Sequence, residues 1–385
     1  MSVKGLFHRQ LLIKLLILSF VCGLFLIIIF HFTTNDINLY KESQHLRSLL
    51  RSNNTHHQEY KLAEYDFDYE DFRQRVNYSY LMNLTNFRYL LNSNKCRKDR
   101  KQFLAIIVVT SYSAHTDLRM AHRQSMPQCK LEELGFRRIF LLAKIPPTER
   151  AITQESLERE HNRFGDLVQG NFVDNYHNLT YKHVMGLRWA GSECENAKFV
   201  IKIDDDIIYD IYYTRNYLNE LLLKQSQLAT SGKLLSGVIF SSGPPVRDEK
   251  SKWYVSLKDF PGSVYPYYLS GWFYVTNPLT AKRIAQEAHS TPVFWIDDVW
   301  VTGIVRHRLH IHLQSLNHLL TYKKVQLQCC IDDAKKYNYN CDYKIGPNGN
   351  EPEFLLKYQN AIEKCYYDGC IPRPANKSVV LTCKE

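Results

Sequence analysis

The chain has 385 residues, of which 45% are hydrophobic and 23% are charged. This usage is typical of a globular protein and excludes the collagen, coiled-coil and low-complexity classes. The formal net charge is +10, but no basic block stands apart from interleaved acidic and aromatic residues, so nucleic acid is not an expected partner. The length predicts one large α/β domain with a tail, or two closely packed halves.

An apolar run near the N-terminus predicts a membrane anchor. Residues 15–30 carry no charge, and a helix of about 17 or more apolar residues crosses a bilayer, so we predict a span at 15–32. Basic residues precede the run, namely Lys4, Arg9 and Lys14. Because positive charge stays cytoplasmic, the tail 1–14 is expected in the cytosol and the body in the lumen. A cleaved signal peptide is the alternative, but the run exceeds the usual apolar region of ~7–15 residues.

Sequons and cysteines agree with a lumenal body. Five Asn-x-Ser/Thr sequons follow the predicted anchor, at Asn53, Asn77, Asn83, Asn178 and Asn376. Nine cysteines also follow it, and an oxidising lumen preserves disulfides. Because the C-terminal cysteines lack paired CxxC spacing, we expect disulfides there rather than zinc, with the pairing left open.

Apolar runs alternate with helical patterns after a polar stem at 33–100. Three runs are typical of buried strands, at 103–113, 138–143 and 197–203. Helical stretches accompany them around 119–123, 148–163 and 181–189. This alternation predicts a doubly wound, mostly parallel sheet, whose ligands lie beyond the carboxyl ends of the strands.

Three adjacent carboxylates, Asp204, Asp205 and Asp206, directly follow the third predicted strand. They repel one another, and a divalent cation would compensate their charge. On an extended chain residues i and i+2 point the same way, so Asp204 and Asp206 are expected to face one metal site. Hard oxygen ligands select Mn²⁺ or Mg²⁺, which usually bridge substrate phosphates, so a diphosphate leaving group is implied. The alternative is a solvated acidic turn or a helix N-terminus at Ile207.

Several ordered blocks resemble the inverting β1,3-glycosyltransferases of animals, the galactosyl- and N-acetylglucosaminyltransferases of glycosyltransferase family 31. The blocks are RMAHRQS at 119–125, EHNRFGD at 160–166, GNFVDNYHNLTYK at 170–182, KIDDD at 202–206, KWYV at 252–255, YPYYLSGWFYV at 265–275 and DDVWVTG at 297–303. The sequence departs from the family's Thr-Trp at Ser125 and Met126. The last block is also one residue longer before Gly303. The stem and the segment after about residue 320 are not covered by the resemblance.

The resemblance implies a GT-A type nucleotide-sugar fold, a UDP-sugar donor, Mn²⁺ and inversion at the anomeric carbon. It also implies a Golgi membrane protein of type II, with a catalytic domain at 101–320. The cysteine-rich extension at 321–385 is expected to pack on that domain. Galactose is the expected sugar and N-acetylglucosamine the alternative, transferred to a glycan of a glycoprotein or glycolipid. A catalytically silent lumenal chaperone or scaffold is the alternative from another class, although such a protein has no electrostatic reason to keep repelling carboxylates.

The resemblance also assigns roles within the site. Inverting transfer needs a base for the acceptor hydroxyl and positive charge for the departing diphosphate. Asp298 is the expected base and Asp297 its neighbour, which orients the site or binds donor; a helix N-cap before Val299 is the alternative for this pair. The expected donor contacts are Asp205, Arg119, Arg123 and Lys202. For the two arginines, four residues apart on one helix face, a salt-bridged surface helix is the alternative.

A stretch rich in Tyr and Trp around Gly271 predicts the sugar pocket. Glycine permits close approach of a ligand, and aromatic faces stack on sugar rings. The expected pocket residues are Trp253, Tyr268, Gly271 and Trp272, with a purely structural core as the alternative. His307 and His310 follow the last block closely and are weighed as metal ligands against a structural role.

Overall fold

The computed structural model describes residues 79–97, 101–241 and 243–383. The strands are β1 Tyr80–Leu81, β2 Leu84–Thr85, β3 Tyr89–Leu91, β4 Phe103–Thr110, β5 Phe136–Lys144, β6 Leu167–Val173, β7 Ala197–Asp204, β8 Ile207–Tyr209, β9 Leu235–Phe240, β10 Tyr268–Thr276, β11 Leu313–Ser315 and β12 Ile345–Pro347. The helices are α1 Thr116–Ser125, α2 Gln128–Glu133, α3 Gln154–Phe164, α4 Leu179–Glu193, α5 Ile211–Lys224, α6 Ser226–Thr230, α7 Pro278–Glu287, α8 Arg306–Arg308, α9 Lys324–Tyr337, α10 Pro352–Asp368 and α11 Val379–Thr382. A π-helix spans Val299–Val305, directly before α8.

Within the described residues, the main sheet has eight strands in the order β11-β9-β10-β7-β4-β5-β6-β3. The central strand β4 pairs in parallel with β5 and β7, and β6 extends the parallel set beside β5. β10 is antiparallel to β7 and β9, and β3 is antiparallel to β6 at one edge. The predicted α/β class with a mostly parallel sheet is therefore confirmed.

Strand β4 shows why the central strands of this sheet could be predicted from the sequence. Its residues alternate between two cores: Ala105, Ile107 and Val109 pack with α1 and α10, whereas Ile106 and Val108 pack with α4 and α7. All five side chains are at most 2% exposed. Because both faces are covered, the strand is a continuous apolar run rather than an alternating one.

Helix α3 begins later than predicted, at residue 154 instead of 148. Thr153 is its N-cap, and the hydroxyl of Thr153 accepts the backbone N–H of Ser156 at 3.2 Å. The helix ends at Gly165, which has a φ of 65°. A cap side chain and a left-handed glycine fix the two ends of a helix more sharply than charge patterning does.

The chain joins the fold before residue 101, where the sequence predicts the start of the catalytic domain. Strand β3 pairs with β6 in the main sheet, with Tyr89 opposite Gly170. A disulfide joins Cys96 to Cys194 at the end of α4. The last part of the predicted stem, from residue 79, is thus part of the unit that contains the sheet. The sequence did not predict this because strands of two or three residues are too short to show an alternation of apolar and polar residues.

The cysteine-rich C-terminal segment packs against the strand that follows the carboxylate triplet. β12 pairs antiparallel with β8, with Ile345 opposite Tyr209, and α10 packs against α1. Its cysteines form the disulfides Cys329–Cys383, Cys330–Cys341 and Cys365–Cys370. Disulfides rather than zinc therefore account for this cluster, as predicted, and Cys129 is a free, exposed thiol.

None of the described helices is long and apolar enough to cross a bilayer. The predicted tail 1–14, the anchor 15–32 and the sequons Asn53 and Asn77 lie outside the described residues. Among the other sequons, Asn83 and Asn376 are exposed. Asn178 is half-buried, and its side-chain amide donates to the carbonyl of Val173 at 2.9 Å.

Candidate active site

The carboxylate triplet lies at the carboxyl end of β7, where the parallel sheet predicts a ligand site. Asp204 faces Lys202, whose Nζ lies 2.5 Å from its Oδ1. Asp205 has other partners: its Oδ2 accepts the Ser111 hydroxyl at 2.7 Å and lies 2.9 Å from Nδ1 of His115. The side chains of Asp204 and Asp205 thus point to different surroundings, as the alternation of an extended chain predicts.

The pKa values of Asp204 and Asp206 are both raised. Burial is the main cause for Asp204 and, with repulsion from Asp206, outweighs the attraction of Lys202 and raises the pKa of Asp204 to about 7. Burial and the neighbouring Asp205 likewise raise the pKa of Asp206. These two carboxylates are short of positive charge, which is the electrostatic condition under which a cation binds favourably.

Lys202 connects the triplet to the predicted sugar pocket. Its ammonium group is buried and donates to the carbonyl of Gly271 on β10 as well as to Asp204. Burial lowers the pKa of Lys202, but the charges of Asp204, Asp297 and Asp298 outweigh it and raise the pKa. Lys202 therefore stays protonated and places one fixed positive charge between two groups of carboxylates.

Asp298 lies at the start of the π-helix and faces the same glycine. Its Oδ1 accepts the backbone N–H of Val299 at 2.8 Å, and its Oδ2 accepts that of Gly271 at 3.4 Å. A β-carbon on Gly271 would lie 3.5 Å from Cβ of Asp298 and 3.4 Å from Nζ of Lys202. Asp298 is therefore an N-cap, as the structural alternative proposes, and it also faces the carboxylate site.

The π-helix explains how the last sequence block holds an extra residue before Gly303. A π-turn contains one more residue than an α-turn, so the additional residue widens the helix instead of displacing Asp298. The hydroxyl of Thr302 donates to the carbonyl of Asp298 at 2.7 Å. The same hydroxyl accepts the backbone N–H of Leu269 at 2.9 Å, which ties the helix to β10.

Asp297 has a partner that Asp298 lacks. Its Oδ2 lies 2.8 Å from Nδ1 of His183, and Nε2 of His183 lies 2.7 Å from the hydroxyl of Tyr274. Although burial opposes ionisation, the hydrogen bond with His183 and the charge of Lys202 hold the pKa of Asp297 below its usual range. Burial also lowers the pKa of His183, so the imidazole acts mainly as a hydrogen-bond donor. Burial, reinforced by the charge of Asp297, raises the pKa of Asp298 to about 7.

A cluster of aromatic rings lies near enough to these carboxylates for their charges to affect one of its tyrosines. The indole N–H of Trp253 donates to the hydroxyl of Tyr176 at 3.0 Å, and both residues are nearly half exposed. The rings of His177 and Trp295 lie 4.4 Å apart, and Tyr176 is 6.1 Å from Trp295. Burial and the charges of Asp297 and its neighbours raise the pKa of Tyr176. We call Tyr176, His177, Trp253 and Trp295 the aromatic platform.

Tyr268 and Trp272 flank Gly271 on β10 but face a different set of rings. Tyr268 stacks on Phe240 at 5.3 Å, and Trp272 lies 5.6 Å from the ring of Tyr322. Both residues are half-buried. They are partly core, as the structural alternative holds, and partly available at the surface.

Arg119 and Arg123 are buried and bonded to carboxylates within the protein, which favours the salt-bridged alternative over the predicted contact with the donor. Arg119 is fully buried and bonds Glu160 through Nε and Nη2, at 2.8 and 2.7 Å. Its Nη1 donates to the carbonyl of Tyr112 at 2.9 Å. Arg123 bonds Glu160 at 2.7 Å and Asp166 at 2.8 Å. The arginines fasten α1 to α3 within the protein, because buried guanidinium groups require carboxylate partners.

The described residues contain no ready-made group of three or more His, Cys, Asp or Glu side chains that could hold a metal ion. Asp204 and Asp206 still fit a magnesium-like ion, which proteins usually hold with one or two carboxylates while substrate phosphates and water complete the shell. His307 and His310 are exposed beyond the π-helix and belong to no such group.

Several residues of this site were not singled out from the sequence. His183, Tyr176 and Trp295 each stand next to a recognised residue: His183 follows the block 170–182, Tyr176 lies within it, and Trp295 is two residues before Asp297. In the sequence, only their position in or beside a recognised block could have indicated that these residues belong to the site. Their contacts, however, join segments more than 70 residues apart in the chain.

Comparison with known proteins agrees with this site. The galactosyltransferase family model matches residues 118–317. Beta-1,3-galactosyltransferase 5 of Pan paniscus is 32% identical over 274 residues, which cover 71% of this chain and 84% of the relative. The Homo sapiens protein of that name is 29% identical over 73% of this chain and 85% of its own length. Beta-1,3-galactosyltransferase 1 of Mus musculus is 30% identical over 65% and 72%, respectively.

The matched region covers more than half of the chain and contains both carboxylate groups, Asp204 to Asp206 and Asp297 with Asp298. It also contains Lys202 and Gly271, which link the two groups across neighbouring strands. The chain therefore belongs to the galactosyltransferase family and is a hexosyltransferase.

Proposed function

We propose that the protein is a β1,3-galactosyltransferase that moves galactose from UDP-galactose to a hydroxyl of a glycan acceptor with inversion. The observation that carries this proposal is the meeting of two carboxylate groups, from the end of β7 and from the π-helix, on either side of Lys202. The names of the relatives support galactose and the β1,3 linkage.

On the donor side, Asp204 and Asp206 would hold a divalent cation, Mn²⁺ or Mg²⁺. When bound, such an ion supplies positive charge to a departing diphosphate. The raised pKa values of both carboxylates support this role, since each lacks a full countercharge in the protein alone. Lys202 adds a permanent positive charge beside Asp204. The contact of Asp205 with the donor stays a prediction; in the protein alone its carboxylate bonds Ser111 and His115.

Asp298 would act as the base. As the acceptor oxygen bonds to the anomeric carbon, the bond from that carbon to the UDP oxygen breaks, UDP leaves as an anion, and Asp298 takes the hydroxyl proton. A pKa of about 7 suits a base at neutral pH, because about half of the molecules then carry the carboxylate and that carboxylate is basic enough to take a proton. Asp297, kept ionised by its contact with His183, maintains the negative charge that raises the basicity of Asp298.

The aromatic platform would bind the acceptor. Sugar rings have an apolar face of C–H groups that packs on aromatic rings, and Trp253 and Tyr176 leave about half of their surface open. Tyr268, Gly271 and Trp272 lie next to Asp298 along β10 and would complete the sugar pocket.

We also propose that the fold is of the GT-A type and that the protein is a type II membrane protein of the Golgi, anchored by 15–32. The disulfides support an oxidising lumen. The exposed sequons Asn83 and Asn376 support lumenal glycosylation.

A transfer assay tests the proposal. The full-length chain, purified in detergent, is given UDP-galactose or UDP-N-acetylglucosamine with a panel of glycan acceptors, with Mn²⁺ or with a chelator. We expect metal-dependent galactosylation and a β1,3-linked product. Transfer of N-acetylglucosamine alone would show that the donor is UDP-N-acetylglucosamine. Absence of both transfer and donor hydrolysis under every condition would favour a catalytically silent scaffold.

A further inference from the structure

A cavity of about 570 Å³ lies in the C-terminal part of the fold, between α5, α9 and α10. Sites for small molecules usually have volumes of ~300–1,000 Å³. None of the carboxylates of the candidate active site lines this cavity. Most of its lining lies beyond residue 317, where the family match ends, so the cavity lies largely outside the matched family domain.

Disulfides hold the walls of this cavity. The bridges Cys330–Cys341 and Cys365–Cys370 both line it. Between them, the hydroxyl of Tyr358 donates to the carbonyl of Tyr343 at 3.1 Å. Cross-linked walls keep a cavity from collapsing, and a preformed site binds a ligand without first ordering the protein.

Tyrosine rings form one side of the cavity. Tyr212 and Tyr366 stack face to face, with centroids 4.3 Å apart and planes at 19°. Tyr366 remains 40% exposed, and Tyr213 and Tyr358 also line the cavity. Broad aromatic surface beside polar groups suits a ligand with both C–H faces and hydroxyl groups.

The charged groups of the cavity are already paired. Lys344 lies 3.0 Å from Asp210, and Arg373 lies 2.6 Å from Asp333 and 3.3 Å from Asp342. The lining itself holds two carboxylates, Asp210 and Asp342, and two cations, Lys344 and Arg373, so its charges balance and a neutral ligand is favoured over an anion. The side-chain amide of Asn216, an exposed residue of the lining, can form hydrogen bonds with the hydroxyl groups of a neutral ligand.

We propose that this cavity is a second carbohydrate site, separate from the site of transfer, which binds a short neutral oligosaccharide. The sugar packs on the tyrosine rings and accepts hydrogen bonds from side chains of the lining. A neutral oligosaccharide is favoured over an anionic one because the charges of the lining balance. It is favoured over a purely apolar ligand because the lining also contains ion pairs and the amide of Asn216. No chemical step takes place at this site.

The test measures binding of three neutral disaccharides, lactose, chitobiose and mannobiose, to the full-length chain by saturation-transfer NMR, without UDP-sugar. We expect at least one to bind, and 3′-sialyllactose to bind more weakly than lactose. Tyr366→Ala and Asn216→Ala, two lining positions that are exposed, should each weaken binding about 5- to 10-fold. Tyr337→Ala, an exposed tyrosine of α9 outside the cavity, is the matched control and should leave binding unchanged.

A transfer-site variant separates this proposal from the proposed function. If Trp253→Ala abolishes disaccharide binding while Tyr366→Ala does not, all binding belongs to the transfer site and the second site is refuted. Failure of every neutral disaccharide to bind, or tighter binding of 3′-sialyllactose, also refutes it. Tyr366→Ala should leave transfer from UDP-galactose to a monosaccharide acceptor unchanged, so loss of the second site and loss of transfer are measured independently.

Discussion

His183 holds Asp297 in its ionised form through a contact of 2.8 Å between Nδ1 and Oδ2. The neighbouring Asp298 has no such partner and instead accepts two backbone N–H groups. Two adjacent carboxylates thus have opposite acidities, one lowered and one raised. Environments that push the pKa values of a pair apart are a physical basis for assigning different roles to its members.

Asp298→Asn should lower the kcat of transfer by roughly 10² to 10⁴ and leave donor affinity nearly unchanged, because a base acts only as the acceptor oxygen attacks. The amide keeps an oxygen for the N–H of Val299, so the capping role survives. The kcat and the affinity for UDP-galactose are measured separately. Near-normal transfer by Asp298→Asn, together with loss of transfer by Asp297→Asn, would show that Asp297 is the base.

Transfer should increase with pH across about pH 7, the pKa of Asp298, because only the carboxylate accepts a proton. Asp297→Asn removes a charge that raises this pKa, so the acid limb of the rate should move to lower pH. The same raised pKa means that folding stability falls as pH rises through 7, since the native state binds the extra proton. The pH profile of kcat for both chains tests this, and an acid limb that does not move would contradict the coupling.

Asp206→Ala should abolish cation-dependent binding of UDP-galactose while the protein stays folded, because a carboxylate ligand of the ion is lost. Asp248→Ala removes an exposed carboxylate elsewhere and serves as the matched control. Donor affinity is titrated with Mn²⁺ and with a chelator. Unchanged Mn²⁺-dependent affinity in Asp206→Ala would remove Asp206 from the metal site.

Arg123→Ala should lower the free energy of unfolding by about 3–5 kcal/mol, because it leaves the buried carboxylate of Asp166 without its partner and Glu160 with Arg119 alone. The folded fraction should retain a normal KM for UDP-galactose. Chemical denaturation and donor kinetics at low temperature measure the two quantities. A raised donor KM with unchanged stability would restore the donor contact that the structure does not support.

Trp253→Ala should raise the KM for the acceptor about 5- to 10-fold and change donor affinity little, because the aromatic platform contacts only the acceptor in this proposal. Trp253→Phe keeps a ring but loses the N–H donated to Tyr176, so it should retain most of the affinity. Leu257→Ala, another exposed apolar side chain of this segment, is the control. An effect confined to donor affinity would assign Trp253 to the sugar of the donor.

The sequence by itself determined the central strands and the carboxylate groups. β4 and β7 are buried on both faces, so burial leaves a continuous apolar run that is visible without knowledge of any partner. Asp204 is the last residue of β7 and Asp206 comes two residues later, so the position of the proposed metal site at the carboxyl end of the sheet needs only the end of a strand. The start of α3 and the edge strand β3 were missed, because a cap and a strand of three residues carry little pattern.

Only the tertiary structure decided which charges meet. Arg119 and Arg123 have the spacing of a phosphate-binding pair, yet both guanidinium groups bond Glu160, which lies about 40 residues along the chain. His183 and Asp297 are 114 residues apart and form the contact that distinguishes the two carboxylates. Local sequence records how each segment is buried, whereas a polar side chain takes its role from whichever distant group the packing brings within hydrogen-bond reach.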